Sequence, residues 1–411
     1  MAASMLKNMI VGQNNIFRVI GYSFPHKKVC LNHYRCCTSI VHGNDNVRTE
    51  QDVKPRRPRV CRTTVSSPAH QTKDQIGQFY TVPEPIAKKV FTRGWLNPKL
   101  LQLFDTFNET SIMVRKPALE IIDLMKSANY KDPVIKYVIY GPQGTGKSTT
   151  LAHVAHYALE EDFMIIHVPW PKHIYQFPAT YQESTYKEDR HDTLVESLKW
   201  MNSFRKLNQH HLEKLKTTKK CVWTKKDSSL EGTPITDLIE MGLDREKHIP
   251  DIVGMIIREV KKQAADLGLK VLVVVDGVNS LFQETTVKVA PGEFRPSSQI
   301  GLVQHFMKLL QNDWAGGAVL LTVDRNASKD DKRESDLPKY LLGKEGFAVL
   351  DPFIPFQTEL YSEEEFHSCI EYFKERRWLQ GEKGQTQRGI QQIRFLSGRN
   401  PYFVERACSA W

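Results

Sequence analysis

The chain is predicted to fold as an α/β domain, a parallel β-sheet with helices on both faces followed by a smaller, mostly helical C-terminal region. Three observations predict it. The glycine-rich segment Gly141 to Ser148 follows directly on the apolar run Val134 to Tyr140 and leads into a helical period, the order strand, loop, helix. Short buried-type apolar runs then alternate with helical periods, which requires crossovers and hence a parallel sheet covered on both sides. Finally, 411 residues that are 40% hydrophobic and 25% charged suffice for two domains with substantial cores and fit neither a fibrous nor a wholly disordered chain.

In chain order, residues 1–44 carry five Lys/Arg and no Asp or Glu, and Leu6, Met9, Ile10, Phe17 and Ile20 line one helical face beside Lys7 and Arg18, the pattern of a mitochondrial presequence. No apolar run approaches the ~20 residues needed to span a bilayer, so no membrane insertion is expected. Residues 45–78, rich in Pro, Arg, Thr and Ser, read as a basic, largely extended arm, with order starting near Phe79 and Tyr80. Residues 79–360 form the main domain. Its expected helices include 98–107, 116–128, 148–160, 251–267 and 298–312, and its expected strands are 134–140, 163–170, 270–276, 318–324 and 353–360. A polar, Lys-rich insert at 171–248 interrupts the alternation. Ser362 with Glu365 forms a capping box that opens the helical region 361–411. Seven cysteines, at 30, 36, 37, 61, 221, 369 and 408, include no C-x-x-C pair and no zinc spacing, so neither a metal site nor a disulfide frame is expected.

The loop Gly141-Pro142-Gln143-Gly144-Thr145-Gly146-Lys147-Ser148, with Thr149 behind it, carries the chemistry. Its glycines let backbone N–H groups close around phosphate oxygens, Lys147 supplies a point charge for the β/γ oxygens, and the Ser148 hydroxyl suits Mg²⁺. The residues therefore predict a bound nucleotide. Mg²⁺ also calls for a carboxylate at the end of a neighbouring strand, and Asp276 is the choice over Asp324 because it leaves a further strand to follow. ATPase motors commonly place a Glu after that Asp to orient the attacking water, whereas this chain has Gly277. Unless a base such as Glu284 comes from elsewhere, turnover is expected to be slow. Thr224-Lys225-Lys226-Asp227 matches a guanine-reading pattern but precedes Asp276 instead of following it, and is read as coincidence.

The net charge of +10 is concentrated in two segments. Residues 1–70 hold eleven Lys/Arg against three acids, and 199–226 hold nine against Glu213 alone, so the rest of the body is acidic on balance. Trp200, Trp223 and His210-His211 lie among the second group. That mixture suits phosphate contacts with stacking on exposed RNA bases, and equally an amphipathic helix whose charges face water. The candidate RNA or partner contacts are Arg56, Arg57 and Arg59 in the arm and Lys216, Lys219, Lys220, Lys225 and Lys226 in the insert.

Beyond the loop, the segments 113–120, 274–277, 312–317, 341–347 and 351–355 resemble the death-associated protein 3 family of mitochondrial small-subunit ribosomal proteins, from about residue 79 to the C-terminus. The resemblance implies a P-loop NTPase fold of the AAA-related class with a C-terminal lid, and a matrix location in the head of the small mitoribosomal subunit. It implies contacts with small-subunit ribosomal RNA and neighbouring small-subunit proteins, bridge contacts to the large subunit, and a link to apoptosis. It further implies a bound guanine nucleotide, GTP or GDP, with Mg²⁺, where the residues themselves leave ATP or ADP open. Ser397-Gly398-Arg399-Asn400-Pro401-Tyr402 resembles the G-x-N-P stretch of such lids, in which an Arg follows the Pro and reaches the γ-phosphate. Here Tyr402 stands in that place, with Arg399 and Arg406 as the available substitutes. The expected protein is a ribosomal component whose nucleotide acts as a structural cofactor or slow switch; the alternative is an active ATPase or remodelling factor.

Overall fold

The computed structural model describes residues 60–411, apart from 177, 180, 185–186, 225, 291–292 and 329–333. The five strands of the central sheet, numbered in chain order, are β1 (Ile135–Tyr140), β2 (Met164–Val168), β3 (Val271–Val275), β4 (Gly317–Thr322) and β5 (Ile354–Gln357). All pair in parallel in the order β5-β1-β4-β3-β2. The near-continuous Val/Ile/Leu of β1 to β4 follows from burial on both faces.

Alternate residues along each strand feed two separate cores. Val271, Val273 and Val275 of β3 pack toward Trp200, Phe204, Ile256 and Phe306, on the helices Leu194–Leu212, Ile249–Gln263 and Gly301–Leu309. Leu272 and Val274 face the opposite way, into a core with Leu119, Ile122, Leu151 and Val154 of the helices Lys116–Ser127 and Lys147–Glu160. A third core joins Phe79, Leu103 and Phe107 to Phe366, Phe373, Ile393 and Val404 of the C-terminal helices. The first of these, Glu363–Glu375, starts at the expected capping box, with the Glu365 amide donating to Ser362 Oγ at 3.1 Å and the Ser362 amide to Glu365 Oε2 at 2.9 Å.

Two expectations change. The ordered fold reaches back beyond the expected residue 79: the Phe79 amide donates to Cys61 O at 2.8 Å, and Arg62 makes ion pairs with Glu109 at 2.7 Å and Glu375 at 2.8 Å. This stretch is held by backbone bonds and ion pairs, which a count of apolar residues does not register. The presequence and the arm residues Arg56, Arg57 and Arg59 lie outside the described residues. Second, the insert is built into the core. Its helix Leu194–Leu212 buries Trp200, Met201, Phe204 and Leu212, with Trp200 Nε1 donating to the His167 carbonyl at 2.9 Å. Unforeseen were the helix Pro338–Leu350 and an antiparallel hairpin of Glu284–Ala290 with Glu293–Pro296.

Burial pushes the imidazoles of His153, His167 and His305 down to about 3 from an ordinary 6.5. They stay neutral in the fold while the unfolded chain takes up protons below pH 6.5, so the stability present above 6.5 is lost progressively as pH falls toward 3. Between pH 7 and pH 5 each is expected to cost about 2 kcal/mol. Urea midpoints at the two pH values check this, and His305→Gln should flatten the dependence.

Candidate nucleotide-binding site

The loop residues Gly141 to Gly146 link the C-terminal end of β1 to the helix Lys147–Glu160, whose N-terminal amides point into the loop. Among the described residues, the amides of Gly144, Thr145, Gly146 and Lys147 have no protein acceptor, the arrangement that suits an anion. Lys147, 6% exposed, directs its ammonium at the Gly141 carbonyl (2.8 Å), the Pro142 carbonyl (3.1 Å) and Asp324 Oδ2 (3.0 Å). Thr145 Oγ1 donates to the Pro142 carbonyl at 2.8 Å and lies 2.7 Å from Thr358 Oγ1, just past β5. Ser148 and Thr149 line the same cleft. The residues present thus fit a polyphosphate.

Both candidate acids reach the loop, because β4 lies between β1 and β3. Asp276, one residue past β3, accepts from Ser148 Oγ at 2.8 Å and from Thr322 Oγ1 at 2.6 Å. Burial raises its carboxyl above the ordinary carboxylate value, and the donated hydrogen bonds from Thr322 and Ser148 offset part of that rise. Asp324, past β4, takes the ion pair with Lys147 instead. Paired hard oxygens of Ser148 and Asp276 suit Mg²⁺. Thr322 carries no signal in the sequence, and Asp324 is there only the rival of Asp276; strand order is what brings both to the loop.

Gly277 is closed to a longer side chain. It sits at φ 76° with its amide donating to Thr322 Oγ1 at 2.7 Å, and a Cβ would meet Ala327 and the Trp170 ring at 3.1 Å. Glu284 is exposed in the hairpin and does not line the cleft. Neither supplies a base.

The C-terminal region grips the loop from behind. Asn400 Nδ2 donates to the Gln143 carbonyl at 2.9 Å, and the Tyr402 amide donates to the Gly144 carbonyl at 3.2 Å. Arg406 and Lys99 donate to Tyr402 Oη at 3.0 and 3.4 Å, which holds the phenol below its usual value. Arg399 faces Glu363 at 3.5 Å. Neither Arg399 nor Arg406 lines the cleft, so neither takes over the phosphate-reaching role of the missing lid arginine. Arg115, unremarked in the sequence, joins loop to lid by pairing with Glu365 at 2.7 Å and donating to the Thr145 carbonyl at 3.4 Å.

From the loop the cleft extends over about 1440 Å³ past Trp95, Trp170 and the rim lysines Lys199 and Lys206. His167 stacks on Trp95 with centroids 3.6 Å apart.

Of the four rings weighed for RNA stacking, His210 is exposed and the other three are not. Trp200 is 5% exposed in the core, His211 is 1% exposed, and Trp223 is partly buried with Nε1 donating to Ser229 Oγ at 2.7 Å. Lys216, Lys219, Lys220 and Lys226 are exposed, while Lys225 lies outside the described residues. Thr224 and Asp227 close a hairpin turn, the Asp227 amide donating to Thr224 Oγ1 at 3.0 Å.

A family model described as mitochondrial ribosomal death-associated protein 3 matches residues 112–407. The chain is 37% identical over 374 residues to the small ribosomal subunit protein mS29 of Bos taurus, covering 90% of this chain and 92% of that one. It is 37% identical over 377 residues to the mS29 of Mus musculus, covering 90% and 95%. Among solved structures, AMPPCP-bound DnaA from Aquifex aeolicus aligns over 76% of this chain and 63% of its own at 13% identity and a TM-score of 0.32. The replication initiator DnaA bound to AMPPCP and single-stranded DNA aligns over 77% and 65%, at 13% identity and a TM-score of 0.31. On the breadth of the family match and the identity to these mammalian relatives, the chain belongs to the mitochondrial ribosomal death-associated protein 3 family.

Proposed function

We propose that this chain is a component of the small subunit of the mitochondrial ribosome, in the matrix, and that it holds a purine nucleotide, GTP or GDP, with Mg²⁺ as a structural clamp. The membership in a mitochondrial ribosomal family and the mS29 relatives support the ribosomal part. The clamp rests on one observation: Asn400 and Tyr402 bond to the carbonyls of Gln143 and Gly144 while that loop aims its amides at the cleft. Ordering the loop therefore orders the C-terminal region. Phosphates would be held by the amides of 144–147 and by Lys147, and Mg²⁺ by Ser148 and Asp276, where the metal would neutralise phosphate charge. Anything that binds only the folded form stabilises it, by about 4 kcal/mol at a thousand times its Kd. The exposed Lys216, Lys219, Lys220 and Lys226 provide a surface for ribosomal RNA phosphates without base stacking.

Denaturing the natively purified protein and identifying what is released tests the clamp: about one guanine nucleotide per chain is expected, adenine would correct the base, and an empty protein would overturn the reading. Sedimentation away from the small mitoribosomal subunit would refute the ribosomal part. Turnover above about one per second would favour the remodelling-factor alternative. Installing a glutamate as Gly277→Glu is expected not to create such turnover. The positive φ costs roughly 1–2 kcal/mol, and Trp170 and Ala327 crowd the new Cβ, so a lowered melting temperature with unchanged phosphate release is the expected result.

A further inference from the structure

We propose that Asp162, His210 and His211 form a transition-metal site, with Zn²⁺ as its natural occupant, separate from the nucleotide cleft. Asp162 Oδ1 lies 2.9 Å from His210 Nε2 and 3.4 Å from His211 Nε2, and one ligand atom from each residue falls within 4.8 Å of the other two. Such separations match neighbouring ligands around an ion bound at ~2.0–2.2 Å.

The backbone is shaped to produce this convergence. Adjacent residues on a regular helix point about 100° apart. Here the helix Leu194–Leu212 departs from helical geometry at Asn208 (φ −121°, ψ 17°), whose side chain is bonded to the Ile165 amide and carbonyl at 2.8 Å each. The following turn brings the His210 and His211 rings to 3.9 Å between centroids. Asp162 is presented from the turn before β2 by a positive φ of 56°, which a non-glycine residue adopts at a cost. The two imidazoles also stand at the helix C-terminus, where the carbonyl dipoles favour a cation.

His211 is the observation that a mere surface ion pair leaves unexplained. It is 1% exposed, its ring faces the Phe163 backbone and Asp162, and neither ring nitrogen completes a hydrogen bond of ordinary geometry. A buried polar group in that state costs about 1–3 kcal/mol, which a metal on Nε2 would relieve. Two imidazoles and one carboxylate suit zinc over Mg²⁺ or Ca²⁺, which take oxygen ligands. His210 and Asp162 are exposed, so the fourth position opens to water. The nearby cation Lys214 opposes the ion.

The test uses the full chain stripped with chelator and titrated with ZnCl₂ in excess Mg²⁺, read by calorimetry, with CoCl₂ absorption reporting the ligand field. One Zn²⁺ per chain is expected, with His210→Ala and Asp162→Asn each weakening it more than ~10-fold and Lys214→Gln tightening it. Both weakening substitutions fall on exposed side chains, so circular dichroism should confirm that the fold is intact. Zinc bound equally by wild type, His210→Ala and Asp162→Asn, or no zinc bound by the wild type, overturns the proposal.

Discussion

Replacing Lys147 by Ala is expected to strip the nucleotide from the natively purified protein and, with it, the protein from the small subunit. The ammonium is nearly buried and meets the Gly141 and Pro142 carbonyls and Asp324 within 3.1 Å. Removing it deletes a buried positive charge at the loop and leaves Asp324 without its ion-pair partner beside Asp276. Breaking one partner of a buried pair costs about 3–5 kcal/mol of stability, and a loss of that size in the binding of an anionic ligand would be roughly two to four orders of magnitude in affinity. Lys147→Arg should rescue little, because a planar guanidinium does not fit a point between two carbonyls and a carboxylate. Asp324→Asn separates the two effects: it removes the uncompensated acid but keeps the ammonium, so it should retain nucleotide. Released nucleotide per chain is the measurement. Wild-type content in Lys147→Ala would remove the loop from the proposed function altogether, whereas loss of nucleotide with normal assembly would keep the binding site and discard the structural role.

The two results together would say whether the clamp works through the C-terminal region. That region reaches the loop through hydrogen bonds to the Gln143 and Gly144 carbonyls and by packing Asn400 and Tyr402 against Gly144, so a variant such as Asn400→Ala leaves every phosphate-facing group in place. Two hydrogen bonds are lost, the one to Gln143 and the helix cap in which Asn400 Oδ1 accepts from the Tyr402 amide at 3.1 Å; at about 1 kcal/mol each they should loosen nucleotide retention by up to about thirty-fold. A clamp is a graded device of this kind, whereas a motor lacking its base would fail outright.

The parts of the site legible in the sequence are those made by local chain geometry. The loop, the helix after it and the capping box at Ser362 are each encoded within a few neighbouring residues, and the five strands are visible as apolar runs. The clasp is different. Asn400 and Gln143 are 257 positions apart, and Thr358 meets Thr145 across 213, so no spacing in the chain registers either contact. Asp324 was set against Asp276 as a rival because both end apolar strands, yet insertion of β4 between β1 and β3 places each beside a different loop side chain. Trp200 and Trp223 show the opposite error. Composition marked their segment as basic and aromatic, but which face a helix buries depends on the partner it meets, and here Trp200 packs on the sheet while the lysines of the following turns face water.

A small change in the loop, Gly141→Ala, should be nearly as damaging as losing Lys147, for a steric reason that chemistry does not reveal. Gly141 sits at φ 140°, and an added Cβ would lie 2.8 Å from Thr358 Oγ1 and closer still to the Thr358 carbonyl oxygen. Thr358 is poorly placed to retreat. Its amide donates to the Tyr140 carbonyl at 2.8 Å, continuing the ladder in which Gln357 pairs with Tyr140, and its hydroxyl meets Thr145. Relieving the clash therefore means lifting edge strand β5 from β1 or bending the loop itself. Backbone strain of roughly 1–3 kcal/mol adds to overpacking of similar size, so a loss of about 3 kcal/mol is expected. For a folded body of this size that is a drop of about 4 °C in melting temperature. Thr358→Ala in the same chain removes the hydroxyl but keeps the carbonyl, so it should rescue only part of the loss. Gly146→Ala provides the contrast, since at φ 96° its Cβ would meet no atom within 4 Å and only the backbone strain applies. If both glycine variants melt alike, conformation alone governs the loop, and its close packing against β5 contributes nothing to stability.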